Sequence, residues 1–455
     1  MKVHFIGIDG ISMSALAKIM QEQGHKVSGS DLKKGPLTKK LVDNGTLFFN
    51  QQVRSNIKEV NPDIVIYTAA INKTNPELLE AKSSSAKVYD RATFLGKLAR
   101  DYERSIAVAG SHGKTTTTAM LTLALIKANA SPTALVGGEL SELDGNVIIG
   151  ESDIFLTEAC EYVESFLKIY PYIGVILNID RDHLDYFKDL NHIVASFNSF
   201  NDNISDNGFL VINNDDPNTK KVINQSSKNL VTFGLNSNST WYVNNISHTA
   251  SGTISDLYKN DEFVSKLELS VPGNHNIYNA LAVISTCDIL SLDINTITAA
   301  LTEFNGTHRR FEKRGTLKGA LLIDDYAHHP KEIETTLQAI RDGYPNRRII
   351  VIFQPHTYSR TKTLIDNFAS SFNLADNLYV TPTYPAREPY DKKGDSKTLI
   401  KSIKKHKDNA IYVDSYKEAA KEVYSDLKDN DLVITMGAGP VDKVIELLLN
   451  FNKES

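Results

Sequence analysis

Between Ile106 and Ala128 an apolar run leads through Gly110-Ser111-His112-Gly113-Lys114-Thr115-Thr116-Thr117 into a helical pattern. A strand, a small-residue loop and a helix start in this order suit a bound phosphate. The small residues Gly110, Ser111 and Gly113, with His112 between them, let backbone N–H groups approach phosphate oxygens, and the helix start adds positive potential. Lys114 can neutralise β- and γ-phosphates, while the Thr115 hydroxyl can complete a Mg²⁺ shell, with Thr116 beside it. One position departs from the usual phosphate loop: Val108 stands where its first glycine would be.

Two further segments carry hard-cation chemistry. Thr157-Glu158-Ala159-Cys160-Glu161 and Asn178-Ile179-Asp180-Arg181-Asp182-His183-Leu184-Asp185 each follow an apolar run that reads as a strand. Open α/β sheets place ligands at the carboxyl ends of their strands. Glu158 and His183 brought there beside Thr115 would hold a divalent cation, with waters in the remaining positions. Without the loop upstream, a helix-capping Glu158 and an ordinary loop His183 would serve as well.

The loop variant G-[ST]-H-G-K-T-T resembles that of the Mur ligases and their relatives, the folylpolyglutamate synthases, and matching segments follow in order from residue 3 to about 440. The resemblance implies an ATP-dependent ligase, in which a carboxylate is phosphorylated and an amine then attacks the acyl phosphate. It implies Lys114, Glu158, His183 and His328 as catalytic residues, and Thr115, Glu158 and His183 as metal ligands, Glu158 on Mg²⁺ and His183 on a second metal ion. His328, another side chain or solvent is left to take the amine proton. Cys160 replaces an Asp common in related ligases and receives no metal role, and no lysine is assigned the carbamylated role known in other branches.

The same resemblance extends to adenosine and the amino acid. Pro272-Gly273-Asn274-His275-Asn276-Ile277-Tyr278-Asn279 is similar to the family segment near adenine, with Asn276 or Asn279 on its polar edge. An Asn before an apolar-periodic run also caps a helix without any ligand. Gly306-Thr307-His308-Arg309-Arg310-Phe311 resembles the family hinge, which implies Arg309 and Arg310 at the ATP phosphates. Ile323-Asp324-Asp325-Tyr326-Ala327-His328-His329-Pro330 implies Asp325 on ribose, and Tyr326 and His328 near the amino acid. In Phe353-Gln354-Pro355-His356-Thr357-Tyr358-Ser359-Arg360, His356 and Arg360 resemble the residues holding the amino acid, Arg360 forking onto its carboxylate. Many relatives carry a second Arg where this chain has Thr357. Met436-Gly437-Ala438-Gly439 matches a late loop of structural role.

At the N-terminus, Ile6-Gly7-Ile8-Asp9-Gly10-Ile11-Ser12-Met13-Ser14 follows the first strand and Ser28-Gly29-Ser30-Asp31 ends the second. This looks superficially like a dinucleotide fold, but Asp9 and Ser12 occupy the second and third glycine positions of its fingerprint. A pyrophosphate can still rest on the helix start. G-I-x-G-I-x-M-S-x-L-A resembles the branch that uses UDP-N-acetylmuramate and adds the first amino acid, L-alanine. This implies Gly10, Ser12, Met13, Ser14, Asp31, Thr68 and Ala69 around UDP. His4 reads as structural. The rivals are a recycling ligase that adds a tripeptide to the same sugar, an NAD oxidoreductase and a non-catalytic UDP-sugar binder.

These residues need elements to position them. Val3–Ile6, Ile64–Tyr67, Ile106–Ala109, Ile154–Thr157, Gly174–Leu177, Leu321–Ile323, Ile349–Phe353 and Leu432–Thr435 read as buried strands, alternating with helical stretches such as Ser14–Gln23 and Thr115–Ala128. That alternation predicts α/β units with mainly parallel sheets. Three domains are expected: a Rossmann-like UDP-binding domain over 1–103, a central P-loop-type ATPase domain over 104–307, and a Rossmann-like α/β domain over 308–455. The stretch Lys97–Arg104 reads as helical, residues 236–262 as irregular strands or hairpins, and the tail Asn450–Ser455 as frayed.

Composition excludes several classes. The 455 residues are 41% hydrophobic and 23% charged, and 50 basic against 55 acidic side chains leave −5. No basic run invites nucleic acid. No apolar stretch of about 18 residues predicts membrane insertion. The early His4 and Asp9 argue against a signal peptide. Two distant cysteines, Cys160 and Cys287, suit a reducing cytoplasm better than a disulfide framework. Monomer and homodimer both stay open.

Overall fold

The computed structural model describes residues 1–140, 145–184, 186–250 and 252–451. The end of the tail predicted to fray, 452–455, lies outside them. The fold is α/β, in three domains, and the chain forms two compact units. Unit 1 comprises Met1–Tyr242, Lys259–Glu262 and Asn279–Ala300, and unit 2 comprises Val243–Tyr258, Phe263–Tyr278 and Leu301–Ser455.

The first sheet of unit 1 is built from β1 (Lys2–Ile6), β2 (Lys26–Ser30), β3 (Leu47–Phe49), β4 (Ile64–Tyr67) and β5 (Lys87–Asp90), in the order β3-β2-β1-β4-β5. Every pair is parallel. The order reverses between β1 and β4, and ligands favour that switch point in an open sheet.

The second sheet of unit 1 contains β6 (Arg104–Ala109), β7 (Thr133–Leu140), β8 (Gly145–Ile148), β9 (Ile154–Glu158), β10 (Ile173–Ile176), β11 (Phe209–Asn213) and β12 (Asn229–Gly234). Their order is β12-β11-β10-β6-β9-β7-β8. Only β7–β8 is antiparallel among these pairs. β6 is central, and all but its first residue are buried, which explains the unbroken apolar run: a strand covered on both faces has no polar side.

Two predicted boundaries shift. The helix before the second sheet is Arg91–Arg100, and Arg104 already belongs to β6, where its guanidinium pairs with Asp153. The Asn- and Ser-rich stretch forms regular strands, β13 (Trp241–Thr249), β14 (Gly252–Lys259) and β15 (Glu262–Leu269), side by side in the order β15-β14-β13. Burial alternates along β14, where Thr253, Ser255 and Leu257 are buried while Ile254 is exposed, so polarity in the sequence does not mark its solvent face.

Unit 2 carries the third sheet: β16 (Glu312–Leu317), β17 (Ala320–Asp325), β18 (Arg348–Phe353), β19 (Asn377–Val380), β20 (Ala410–Tyr412) and β21 (Asp431–Met436). The order is β16-β17-β21-β18-β19-β20, antiparallel at β16–β17 and parallel elsewhere. Ile349, Val351 and Phe353 enter one apolar cluster, and Ile350 and Ile352 enter another. The period of two places these on opposite faces of one doubly covered strand.

Candidate functional site

Register brings the phosphate-loop residues together. Val108 of β6 stands opposite Glu158 of β9 on one side and Val175 of β10 on the other. The segments leaving these three strands therefore emerge at one sheet edge. Gly110 (φ 145°) and Gly113 (φ 86°) adopt conformations that side-chain-bearing residues avoid, and the helix Lys114–Lys127 starts immediately with no side-chain cap. The loop is pinned from β10: Ser111 N donates to Asn178 O (3.1 Å), His112 N donates to Asn178 Oδ1 (2.8 Å), and Asp180 N donates to Ser111 Oγ (2.8 Å). His112 Nε2 lies 3.2 Å from Asp180 Oδ2.

Lys114 Nζ donates to Gly110 O (2.5 Å) and to Glu161 Oε2 (2.8 Å), with Ser111 O at 3.3 Å. Burial works against its charge, but the adjacent Glu161 carboxylate outweighs that and raises its pKa. The sequence by itself assigns Glu161 no role. Its signal in the sequence is faint, an acid three residues beyond Glu158.

The proposed cation ligands divide into two places. Glu158 Oε1 accepts from Gly137 N at 2.7 Å, and a Cβ on Gly137 would come within 2.6 Å of the carboxylate. A Cβ on Gly138 would meet Thr115 Cγ2 at 3.2 Å. The glycine pair thus leaves space beside Glu158 and Thr115 that side chains would fill, and a hydrated divalent cation suits those oxygen donors. His183 instead groups with Glu161 and Asp182, at 3.7 and 3.8 Å, and the donor atoms of the three lie within 4.8 Å of one another. The Tyr162 ring stands 4.7 Å from that of His183, between centroids. Val163 and Glu164 have φ of 52° and 54°, and such left-handed backbone costs about 1–3 kcal/mol per residue.

The first sheet places the other unit 1 candidates at the β1–β4 switch. Gly10 caps the helix Ile11–Glu22 without a side chain, leaving the helix-start N–H groups to an anion. Ser12 Oγ accepts from Arg91 Nη1 at 3.1 Å. The side chains of Met13 and Ser14 are buried, and Ser14 Oγ donates to Ile11 O at 3.0 Å. Asp31 Oδ2 accepts from Asp9 N at 2.9 Å. Asp9, in place of the fingerprint glycine, accepts from Gly35 N and Thr38 Oγ1 and so closes the loop after β2. A Cβ on Gly7 would meet Thr68 Cγ2 at 2.5 Å, so this edge is tightly packed, while Ala69 is exposed. His4 is structural, buried between Ser28 (2.8 Å) and Glu77 (2.9 Å).

In unit 2, Asp325 ends β17 and holds two backbone amides, Phe311 N and Ala327 N, both at 2.8 Å. Burial pushes its carboxyl up to about 6 against the pull of nearby Arg310. Arg309 differs from the expectation of a phosphate contact: it binds Asp324 (2.9 Å), Gly437 O (2.7 Å) and Gly439 O (2.8 Å), tying the loop after β21 to β17. Arg310 lies over the Tyr326 ring at 4.9 Å and 3.9 Å from Glu332. His328 Nδ1 stands 2.9 Å from Tyr326 O, and its ring is 5.9 Å from that of His356. Arg360 Nη1 donates to His356 O at 2.8 Å, and Tyr384 stacks on His356 at 5.6 Å. Tyr326, His328, His356 and Arg360 are thus joined by successive contacts. Nothing in the spacing of Tyr384 in the sequence marks this stacking.

Near the start of the helix Asn274–Ile289, Asn276 Nδ2 donates to Pro272 O at 2.8 Å. His275 Nδ1 is buried without a hydrogen-bond partner among the described residues, and burial pushes its pKa down to about 4. A neutral ring nitrogen left unsatisfied there suits a heteroaromatic base. Asn279, in unit 1, faces Gly113: a Cβ on that glycine would lie 2.7 Å from Asn279 Oδ1.

A phosphate loop at the edge of a parallel sheet, with carboxylates on the adjoining strand ends, defines a nucleotide-dependent enzyme of α/β type. The chain belongs to the Mur ligase family, matching the Mur ligase family catalytic domain over residues 2–103, the Mur ligase middle domain over 108–287 and the Mur ligase glutamate ligase domain over 309–439. It is 45% identical to UDP-N-acetylmuramate–L-alanine ligase of Caldanaerobacter subterraneus subsp. tengcongensis, over 100% of this chain and 98% of the relative. It is 46% identical to the protein of the same name from Alkaliphilus metalliredigens, over 98% of this chain and 96% of the relative. The crystal structure of UDP-N-acetylmuramate-alanine ligase from Thermotoga maritima has a TM-score of 0.82 and 31% identity, over 100% of both chains. Among the described residues no helix is long and apolar enough to cross a membrane.

Proposed function

We propose that this chain joins L-alanine to the lactyl carboxylate of UDP-N-acetylmuramate, with ATP converted to ADP and phosphate, as a cytoplasmic step in making peptidoglycan precursors. The observation that carries this is the 45–46% identity across essentially the whole length to relatives bearing that activity in their names. In this reading residues 1–103 take the UDP moiety, 104–307 take ATP, and 308–455 take the amino acid.

The reaction is two displacements. A carboxylate oxygen of the lactyl group attacks the γ-phosphorus, and ADP leaves. The alanine amine then attacks the acyl carbon, phosphate leaves, and the amine gives up a proton. Lys114 and the loop amides hold the phosphates in line, where positioning and charge neutralisation supply most of the catalysis. Thr115 and Glu158 would hold Mg²⁺, which supplies further neutralisation of phosphate charge, and His183, beside Asp182, would hold a second metal ion. Asn276, Asn279, Arg310 and Asp325 serve ATP, while Tyr326, His328, His356 and Arg360 serve alanine. Gly10, Ser12, Met13, Ser14, Asp31, Thr68 and Ala69 line the UDP region, Met13 and Ser14 through their backbone.

The test is ATP-dependent phosphate release from purified protein with UDP-N-acetylmuramate, Mg²⁺ and each amino acid in turn. Release that needs the sugar nucleotide and is strongest with L-alanine supports the reading. Turnover only with the L-alanyl-γ-D-glutamyl-diaminopimelate tripeptide would replace it with the recycling reaction.

A further inference from the structure

The Lys114 ammonium is fully engaged by the protein. Both oxygens of Glu161 lie within reach, at 2.8 and 3.1 Å, and Gly110 O lies at 2.5 Å. The Glu161 side chain is 2% exposed and that of Lys114 16%. A carboxylate this deep requires a cationic partner. Glu161 reaches the lysine because the chain bends sharply after β9: Glu164 N closes on Glu161 O at 2.9 Å, Phe166 N closes on Cys160 O at 2.9 Å, and Val163 and Glu164 take left-handed φ. A bend of that kind in a β-branched residue is held by its surroundings and marks a constrained segment.

We propose that Glu161 is a positioning residue for Lys114, holding its ammonium against the loop carbonyls so that incoming phosphate must draw it away. This rests on the nucleotide reading of the loop. Phosphate and carboxylate compete for one ammonium, since its donors are directional and limited to three. Glu161 therefore lowers resting affinity for nucleotide while keeping the lysine aimed at the loop mouth. The same ammonium, 2.8 Å from Glu161, opposes a divalent ion on the same oxygens, so Glu161 serves the lysine and not the metal.

The experiment is calorimetric titration of the full-length protein with ADP, in the presence of a metal chelator, paired with steady-state kinetics. Glu161→Gln should bind ADP at least threefold tighter and show a lower KM for ATP, with kcat at least tenfold lower because the lysine is no longer held. In a Lys114→Met background the same substitution should leave ADP affinity unchanged, since its effect runs through the ammonium. Where Glu161→Gln does not fold, Glu161→Asp retracts the charge by one methylene and should tighten ADP by a smaller factor. ADP binding that is indifferent to, or weakened by, either change at Glu161 overturns the proposal, as does an equal effect in the Lys114→Met background. A wild-type chain that takes no ADP would sink the nucleotide reading and this proposal together.

Discussion

Asn279 Oδ1 occupies the space where a side chain on Gly113 would begin, 2.7 Å from an ideal Cβ. The phosphate loop is thereby tied to the helix carrying Asn279, and the glycine is required twice, by this contact and by its φ of 86°. Gly113→Ala must bear a left-handed conformation costing about 1–2 kcal/mol as well as displacing Asn279. Turnover at limiting ATP should fall roughly 5–30-fold, mainly through KM for ATP. Unchanged ATP kinetics would mean that the loop does not hold the nucleotide in this conformation.

Lys114→Ala should act on both rate and stability. Removing one preorganised charge from a transition state costs about 2.7–4 kcal/mol, or roughly two to three powers of ten in kcat. It also strands Glu161, and leaving a buried partner uncompensated costs about 3–5 kcal/mol. The Lys114→Ala, Glu161→Gln double variant should recover most of the lost Tm in calorimetry and remain inactive. A single variant as stable as the wild type would show that the pair is not buried as described.

Asp325 makes stability depend on pH in a definite direction. Its carboxyl is pushed up to about 6 by burial, against about 3.9 in an unfolded chain. A raised folded value means that its contribution is complete below about pH 4 and is lost as pH rises through about 6. The difference in stability between wild type and Asp325→Asn should therefore shrink from pH 4 to pH 7, by up to roughly 3 kcal/mol. Denaturant melts at several pH values would measure it, and a difference that grows toward pH 7 has the wrong sign for this account.

Selection of alanine should be incomplete. One methyl group in an apolar pocket discriminates by about 1–3 kcal/mol, so glycine should react roughly 10–200-fold less efficiently in kcat/KM. Equal efficiencies, measured by phosphate release with each amino acid, would remove alanine from the reading.

The sequence alone determined the most apolar, central strands and the phosphate loop, because their causes are local. β6, β10, β18 and β21 fall on mainly apolar runs, as strands covered on both faces do. Gly110, Gly113 and Lys114 were legible because a phosphate-binding turn needs those residue types at that spacing. The polar stretch that forms β13 and β14 was harder, since its cross-strand alternation is diluted by Asn and Ser. What only the tertiary structure decided was the pairing of charges far apart in the chain. Glu161 lies 47 residues beyond Lys114, and β6 and β9 must lie side by side before the two can meet. Arg309 reads from the sequence as one of two adjacent arginines for the ATP phosphates, whereas β17 and the loop after β21 enclose it with Asp324, Gly437 O and Gly439 O. Hydrophobic periodicity is written along the chain, whereas a partner for a buried charge exists only once folding has removed the water that would otherwise solvate it.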